Sequence, residues 1–462
     1  MLIVCASLVA LCASGRASAG TQELTLHMDD GVDLAATLYE PSTAAPPAGY
    51  PAIVLFHALA GKRQDLAAVA QRFTDPFAVL TFDLRGHGQS GGLVSIDGPR
   101  EIADTREVYD QLAARPEIDK TRIGAWGMSL GGGALLRSLV EGVPWKAVET
   151  VESWTDLYSA LAPQNLAKSG AIFQFLSSVP ADRLDPSVTA IRDDALASRN
   201  LKQLRDWAAV RSSRKLLSKV TTPVFMFQGR RDFAFDIGQA KAGYALLKGP
   251  KRLYVGDFGH SPSTFPGPDF VQMTKSGYAW FTRYLVGTPV TIAPVTLAPN
   301  PFHNRLFTYK ALPATRRLSI PLPGNDRLVG AGRAVRTSGR FTGLAETFGS
   351  ATVQVTARLS GGWSRLVAVL TAQPRTGAEV VVSEGGINTT GLSGTHRLAI
   401  RLIDTATRVP RGARLTLTLA SSSVAQNPGN LLYLNLPMPK GARISLGAAK
   451  LTLPILRTPI SR

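Results

Sequence analysis

The chain has 462 residues, of which 45% are hydrophobic and 18% charged, and its 51 Lys and Arg against 33 Asp and Glu give a net charge of +18. This is ordinary globular composition. It is long enough for two or three domains, since single cores stop growing near about 250–300 residues. Beyond the first few residues no apolar run reaches the roughly 18 residues that would span a bilayer, and neither a repeat period nor a low-complexity tract is present.

The N-terminus reads as a targeting segment. Leu2 to Ala13 is a short apolar run, and Ala17-Ser18-Ala19 has the small-x-small form of a cleavage site before Gly20. Residues 1–19 are therefore expected to be a signal peptide, with a buried N-terminal helix as the alternative. A basic n-region is missing. Both cysteines, Cys5 and Cys12, fall inside this segment. A mature chain without them has no thiol, which excludes thiol catalysis and cysteine-based metal sites.

From residue 20 to 287 strand-like and helix-like segments alternate. Pro51 to Phe56 (PAIVLF) reads as a buried strand, followed by His57-Ala58-Leu59-Ala60-Gly61. FAVLTF is a further strand and leads into Asp83-Leu84-Arg85-Gly86-His87-Gly88. The Asp and Arg there are expected to lock loops, and His57 is expected to be structural. Ile123 to Trp126 is a short apolar strand, and Gly127-Met128-Ser129-Leu130-Gly131 separates it from the helix-like ALLRSLVEG. Strand, G-x-S-x-G and helix together form the context of a nucleophile elbow. The glycines admit a turn in which a Cβ would strike neighbouring backbone. The turn lifts Ser129, and the helix start offers backbone N–H groups to a developing oxyanion.

Two further groups follow in the order Ser, acid, His that this architecture uses. Pro223 to Gln228 (PVFMFQ) reads as a strand ending at Gly229-Arg230-Arg231-Asp232. Arg252 to Val255 is the next strand and is followed by Gly256-Asp257-Phe258-Gly259-His260. His260 is placed to accept the Ser129 proton, and Asp232 to hold the imidazole tautomer. Asp236 is the rival acid. Between the strand-like AVETVES and PVFMFQ, residues 154–220 carry Trp154, Tyr158, Phe173, Phe175 and Trp207 among helix-like stretches. Trp154 and Phe173 are the candidate substrate contacts, with ordinary helix packing as the bland alternative.

Residues 288–300 (TPVTIAPVTLAPN) are Pro-rich and uncharged, as expected of an extended linker. Residues 301–462 hold short β-rich runs broken by Gly and Pro, which suggests a separate all-β sandwich. From residue 288 onward there are 21 Lys and Arg against 5 Asp and Glu, leaving 29 against 28 for residues 20–287. The bland reading is a solvated surface. The sharper one is contact with an anionic envelope surface. Nucleic-acid binding is not expected, because no basic-aromatic strip or known module is present.

The segments MDDGVDLAATLYEP, FDLRGHGQSGG, GMSLGGG, GRRD, GDFGH and YAWFTRYLVG resemble the CocE/NonD, Xaa-Pro dipeptidyl-peptidase-like branch of the α/β-hydrolases. They span nearly all of residues 24–287, and the β region resembles the jelly-roll domain that ends those enzymes. The resemblance implies an α/β-hydrolase fold with a helical cap insertion and a C-terminal jelly roll. It also implies a serine hydrolase of esters, amides or Xaa-Pro peptides. His57-Ala58-Leu59 is similar to the family's H-G-x-x-G loop with Ala58 for the first glycine, so the backbone N–H groups of Leu59 and Leu130 are the implied oxyanion donors. The Pro-Tyr loop of some members is absent, so a tyrosine donor is not carried over. Neither a metal nor a cofactor is expected. The alternatives are a dipeptidyl-peptidase, an interfacial lipase, and a non-catalytic binding protein on a hydrolase scaffold.

Overall fold

The computed structural model describes residues 20–423 and 431–461. The expected signal segment, with Cys5 and Cys12, lies outside the described residues.

A ten-stranded sheet organises the first two thirds of the chain. Its strands are β1 (Thr21–His27), β2 (Asp33–Tyr39), β3 (Tyr50–Phe56), β4 (Ala78–Phe82), β5 (Ile118–Met128), β6 (Val148–Val151), β7 (Val224–Gly229), β8 (Lys251–Gly256), β9 (Val295–Leu297) and β10 (Phe307–Tyr309). The spatial order is β1-β2-β4-β3-β5-β6-β7-β8-β9-β10. From β4 through β9 every neighbouring pair is parallel. Parallel strands joined by helical crossovers are covered on both faces, which is why they read as unbroken apolar runs. Every residue of β3, β4 and β7 is buried. One apolar cluster includes Val54, Phe56, Ala125 and Met226; the other includes Ile53, Leu55, Trp126 and Phe225, so alternate residues of one strand serve opposite faces.

Between β6 and β7 the chain leaves the sheet for a helical cap. Its helices are Leu157–Leu161, Ser169–Ser177, Pro186–Leu196 and Leu201–Ala209.

The expected linker is a correction. Within 288–300, Val295–Leu297 add to the sheet in parallel beside β8, and β10 pairs antiparallel with β9. All three residues of β9 are buried. The prolines flank this stretch without interrupting it, so the apolar VTL core could join the sheet edge.

The remaining strands are β11 (Thr315–Leu322), β12 (Asp326–Val329), β13 (Arg333–Arg340), β14 (Ala345–Glu346), β15 (Gly349–Ser360), β16 (Arg365–Gln373), β17 (Val380–Asn388), β18 (Gly394–Thr405), β19 (Arg408–Val409), β20 (Arg414–Ala420) and β21 (Arg443–Leu456). They form two antiparallel sheets, β11-β21-β15-β18 with β12 on β21, and β13-β20-β16-β17, plus the small pair β14-β19. Strand β15 alternates buried and exposed residues from Val353 to Ser360, the mark of a sheet with one face in a core. That core contains Val353, Trp363, Leu370, Leu417 and Leu451. The β domain also packs on the rest of the molecule. Leu166 and Ala171 of the cap, Phe233, and Val367, Ile403 and Leu432 of the β domain share one buried cluster.

Candidate active site

Strand β5 delivers Ser129 to the carboxyl edge of the sheet, and the helix Leu130–Val140 starts behind it. Ser129 has φ 53° and ψ −114°, a sparsely populated conformation for a residue with a side chain. It is held there by its N–H to Val151 O at 2.8 Å, and by Gly132 and Gly133 N–H groups on its carbonyl, each at 3.1 Å. A Cβ on Gly127 would lie 2.3 Å from Gly131 O, and one on Gly131 would lie 2.5 Å from Phe56 O. The turn closes only because both are glycine.

The loops after β7 and β8 bring the other two residues to Ser129. Ser129 Oγ is 2.9 Å from His260 Nε2, and His260 Nδ1 is 2.8 Å from Asp232 Oδ2. Asp232 is fully buried, and its Oδ1 accepts from Phe235 N–H at 2.8 Å. A carboxylate at Nδ1 keeps the proton on that nitrogen and leaves Nε2 to accept from the serine hydroxyl. Burial alone lowers the affinity of His260 for a proton, but Asp232 outweighs it and, with Glu152, raises the imidazole above its ordinary range. Asp236 does not compete for this place: its carboxylate accepts from Gly238 N–H at 2.8 Å and caps the helix Ile237–Leu246.

Leu59 and Leu130 line one cavity together with Ser129. As the first residue of its helix, Leu130 has an amide without an intrahelical acceptor. The loop carrying Leu59 is fixed by His57, which is buried. His57 Nε2 accepts from Leu84 N–H at 2.9 Å, so Nδ1 carries the proton and donates to Ala58 O at 2.7 Å. Burial depresses His57 to about 3, which keeps it neutral. His57 O also accepts from Gly131 N–H at 3.1 Å, coupling this loop to the elbow. The positive φ in the loop falls on Ala60, so Ala58 replaces a glycine without strain. Asp83 and Arg85 hold loops: Asp83 accepts from Arg63 and Gln89 N–H, and Arg85 makes a two-pronged contact with Asp104 at 2.7 and 2.8 Å.

An apolar cavity lies above Ser129. Cap residues, Leu157, Ile172, Phe175, Leu176 and Trp207 among them, form most of its wall. Arg192 supplies its single charged side chain, and none of the lining residues is acidic. A second cavity reaches His260 between Phe175, Phe233 and the β-domain residues Leu431 and Leu432.

Residues 30–262 match the family model described as X-Pro dipeptidyl-peptidase (S15 family), half of the chain. The chain belongs to the S15 family. A CocE/NonD family hydrolase from Staphylococcus aureus superposes on the S15 chain with a TM-score of 0.73 at 14% identity, covering 98% of this chain and 99% of the other. An α-amino acid ester hydrolase gives 0.67 at 17% identity over 98% and 99%. An aminopeptidase from a marine sediment archaeon, Thaumarchaeota archaeon, gives 0.69 at 14% over 97% and 99%. At such identities these likenesses establish the fold, an α/β-hydrolase followed by a β domain. The quorum-quenching protein AidA of Acinetobacter baumannii (strain MDR-ZJ06) is 32% identical over 143 residues, 29% of this chain and 44% of that protein. The S15 chain thus spans less than half the length of this curated relative. The family it belongs to is one of hydrolases.

Two expectations about this S15 hydrolase need correction or extension. Trp154 is buried, lines the cavity and donates from Nε1 to Arg211 O at 2.9 Å. Phe173 does not contact the cavity; it is 53% exposed on the outer side of the helix Ser169–Ser177. Ile172, Phe175 and Leu176, spaced i, i+3 and i+4, occupy the inner face instead. That periodicity was present in the sequence. Glu152, immediately after β6, carried no sequence signal. It is buried beneath the site with Oε2 3.5 Å from His260 Nδ1. The ligand atoms of Glu152, Asp232 and His260 lie within 4.8 Å of one another, but a cation among them would have to replace the Nδ1 to Asp232 hydrogen bond.

Proposed function

We propose that this hydrolase cleaves esters of apolar carboxylic acids through an acyl-enzyme on Ser129. The observation that carries the reading is the apolar cavity opening directly on the Ser129–His260–Asp232 chain of hydrogen bonds. Ser129 Oγ attacks the ester carbonyl carbon while its proton passes to His260 Nε2. Asp232 stabilises the imidazolium, and the amides of Leu59 and Leu130 receive the oxyanion. The collapsing intermediate expels the alkoxide, which takes the proton from Nε2. Water then attacks the acyl-Ser129 ester with His260 as base, releasing the acid and restoring the hydroxyl. The apolar walls suit an acyl chain. The cavity by His260 leaves room for the alcohol.

The same cavity argues against a dipeptidyl-peptidase. That activity has to hold a free ammonium group, and burying a cation without an anionic partner is costly. The lining offers no carboxylate, and its charged residue, Arg192, has the wrong sign. A panel of p-nitrophenyl esters and Xaa-Pro p-nitroanilides tests the choice. Turnover of esters, with Ser129-dependent labelling by a fluorophosphonate, is the expected result. Turnover of anilides alone would overturn the ester reading, and absence of labelling and of all turnover would leave a binding protein.

The reading extends to location. Residues 1–19 direct export, and the β domain rests on an anionic lipid surface. Register puts Arg317, Arg327, Arg358, Arg397, Arg443 and Lys450 on the outward face of the β11-β21-β15-β18 sheet, all exposed. Ser, Thr and Gln lie between them, no aromatic side chain is among the described residues of this face, and Asp404, opposite Ser350 at its edge, is paired with Lys241. A broad cationic plane without aromatic platforms suits a charged bilayer surface better than a stacked polymer.

A further inference from the structure

Strand β6 ends at Val151, and Glu152 turns back beneath the site with a positive φ of 51°. The segment is pinned on both sides. Glu152 N–H donates to Phe227 O at 2.9 Å, and Ser153 Oγ donates to Ser129 O at 2.8 Å. Glu152 Oε2 stands 3.5 Å from His260 Nδ1, while Asp232 Oδ2 stands 2.8 Å from the same nitrogen. Its Oε1 is buried without a hydrogen-bond partner among the described residues. Carboxyl groups from two adjacent strand ends, β6 and β7, thus converge on one imidazole N–H.

A buried carboxyl with an unsatisfied oxygen is costly, and packing alone does not require one. A glutamine or an aliphatic side chain fills the same volume. Burial, and then the negative charge of Asp232 and Asp269 against the opposing pull of His260, raises the Glu152 carboxyl above its ordinary range. The charged groups facing this pair are Asp232, Asp269 and, from the cap, Lys168.

Resting on the serine-hydrolase reading above, we propose that Glu152 is a second positioning acid for His260, able to orient Nδ1 when the Asp232 carboxylate is lost. The two distances, 3.5 and 2.8 Å, differ by about 0.7 Å, which a small side-chain adjustment closes. In the intact protein Asp232 holds the hydrogen bond and Glu152 stands protonated beside the imidazole. With Asp232 removed, Glu152 gives up its proton and accepts from Nδ1.

The test compares Asp232→Ala, Glu152→Gln, the double variant, His260→Ala and Ser129→Ala in the full chain, each checked for folding by circular dichroism. Where the orienting aspartate is the sole acid, its loss costs about 10⁴ in kcat. Here Asp232→Ala is expected to lose only about 10²-fold, and Glu152→Gln alone a few-fold at neutral pH. The double variant is expected to fall to the level of His260→Ala. The ratio of Asp232→Ala to double-variant activity should grow as pH rises, because Glu152 must ionise to act. A packing role predicts the same loss from Glu152→Gln in both backgrounds and no pH trend. Should Asp232→Ala not fold, Asp232→Asn serves in its place. An Asp232 variant already as inactive as His260→Ala, or a double variant no worse than the Asp232 variant, overturns the second acid. If Ser129→Ala keeps its activity, the serine-hydrolase reading itself fails, which is a separate outcome.

Discussion

The guanidinium of Arg230, two residues before Asp232, is paired with the carboxylate of Glu346 in the β domain, and both side chains are buried. Arg230 also donates to Ala298 O and Ala406 O, and Glu346 accepts from the N–H groups of Ile460 and Ser461. The acid loop of the hydrolase is thereby clamped to the β domain.

Breaking that pair leaves a buried charge without a partner, which costs about 3–5 kcal/mol. Glu346→Gln is expected to lower Tm by several degrees and to lower kcat as the Asp232 loop loosens. Burial pushes the Glu346 carboxyl up, but Arg230 and the two backbone donors bring it net below its ordinary range. A depressed carboxyl contributes stability that is present above the unfolded value, about 4.3, and is lost as pH falls through the folded value. Thermal melts between pH 3 and 7 should show the gap between wild type and Glu346→Gln narrowing at the acid end. A constant gap would mean the carboxylate charge is not what stabilises the interface.

The proposed mechanism requires His260 to be neutral at Nε2. Because neighbouring carboxylates raise its proton affinity, activity should climb as pH rises through a value above the ordinary histidine range of about 6.5. The acid limb of kcat/KM reports this directly. Asp232→Asn should move the limb to lower pH while reducing the rate. An acid limb at or below about 6.5 in the unaltered protein contradicts the assignment.

In the cap, Phe175→Ala and Phe173→Ala make a matched pair on one helix. Phe175 lines the cavity and its ring centroid lies 5.8 Å from that of His260; Phe173 faces solvent. Phe173→Ala should leave activity unchanged and stability within about 0.5 kcal/mol. Phe175→Ala should change the ratio of kcat/KM between short and long acyl esters. Equal effects of the two substitutions would show that the cavity does not hold the acyl chain.

Ser129 sits at φ 53°, ψ −114°, where a Cβ is strained by about 1–3 kcal/mol. Ser129→Gly should therefore abolish turnover and raise Tm. A lower Tm would indicate that the hydroxyl contributes more to stability than its backbone conformation costs.

The cationic sheet face should bind vesicles containing phosphatidylserine at low salt and release them near half-molar salt, since exposed charges are screened within about 8 Å at physiological ionic strength. Co-sedimentation of the full chain without residues 1–19 measures this, with neutral vesicles as control. Arg358→Glu with Arg397→Glu should abolish binding and leave ester turnover intact. Equal binding to neutral vesicles would remove the electrostatic account, and binding to anionic wall polymer but not to vesicles would reassign the partner.

The sequence by itself determined the sheet strands around the site, the elbow and the order of Ser129, Asp232 and His260. These are local features: an apolar run buried on both faces, a glycine at each turn that a Cβ would block, a polar residue on each loop at a strand end. It also gave the charge asymmetry, since charge is additive along a chain. Which residues meet in space was decided by the tertiary structure. Val295–Leu297 joined the sheet because β8 offered an open edge next to an apolar triplet, and the flanking prolines did not prevent it. Phe173 turned outward and Phe175 inward because the rotation of one cap helix was set by packing against Phe235 and the β domain, which lie 60 or more residues away in the chain. Glu152 is a single unmarked glutamate in sequence. Its nearness to His260 depends on how β6 and β7 lie side by side, and its burial depends on the cap and loops closing over both.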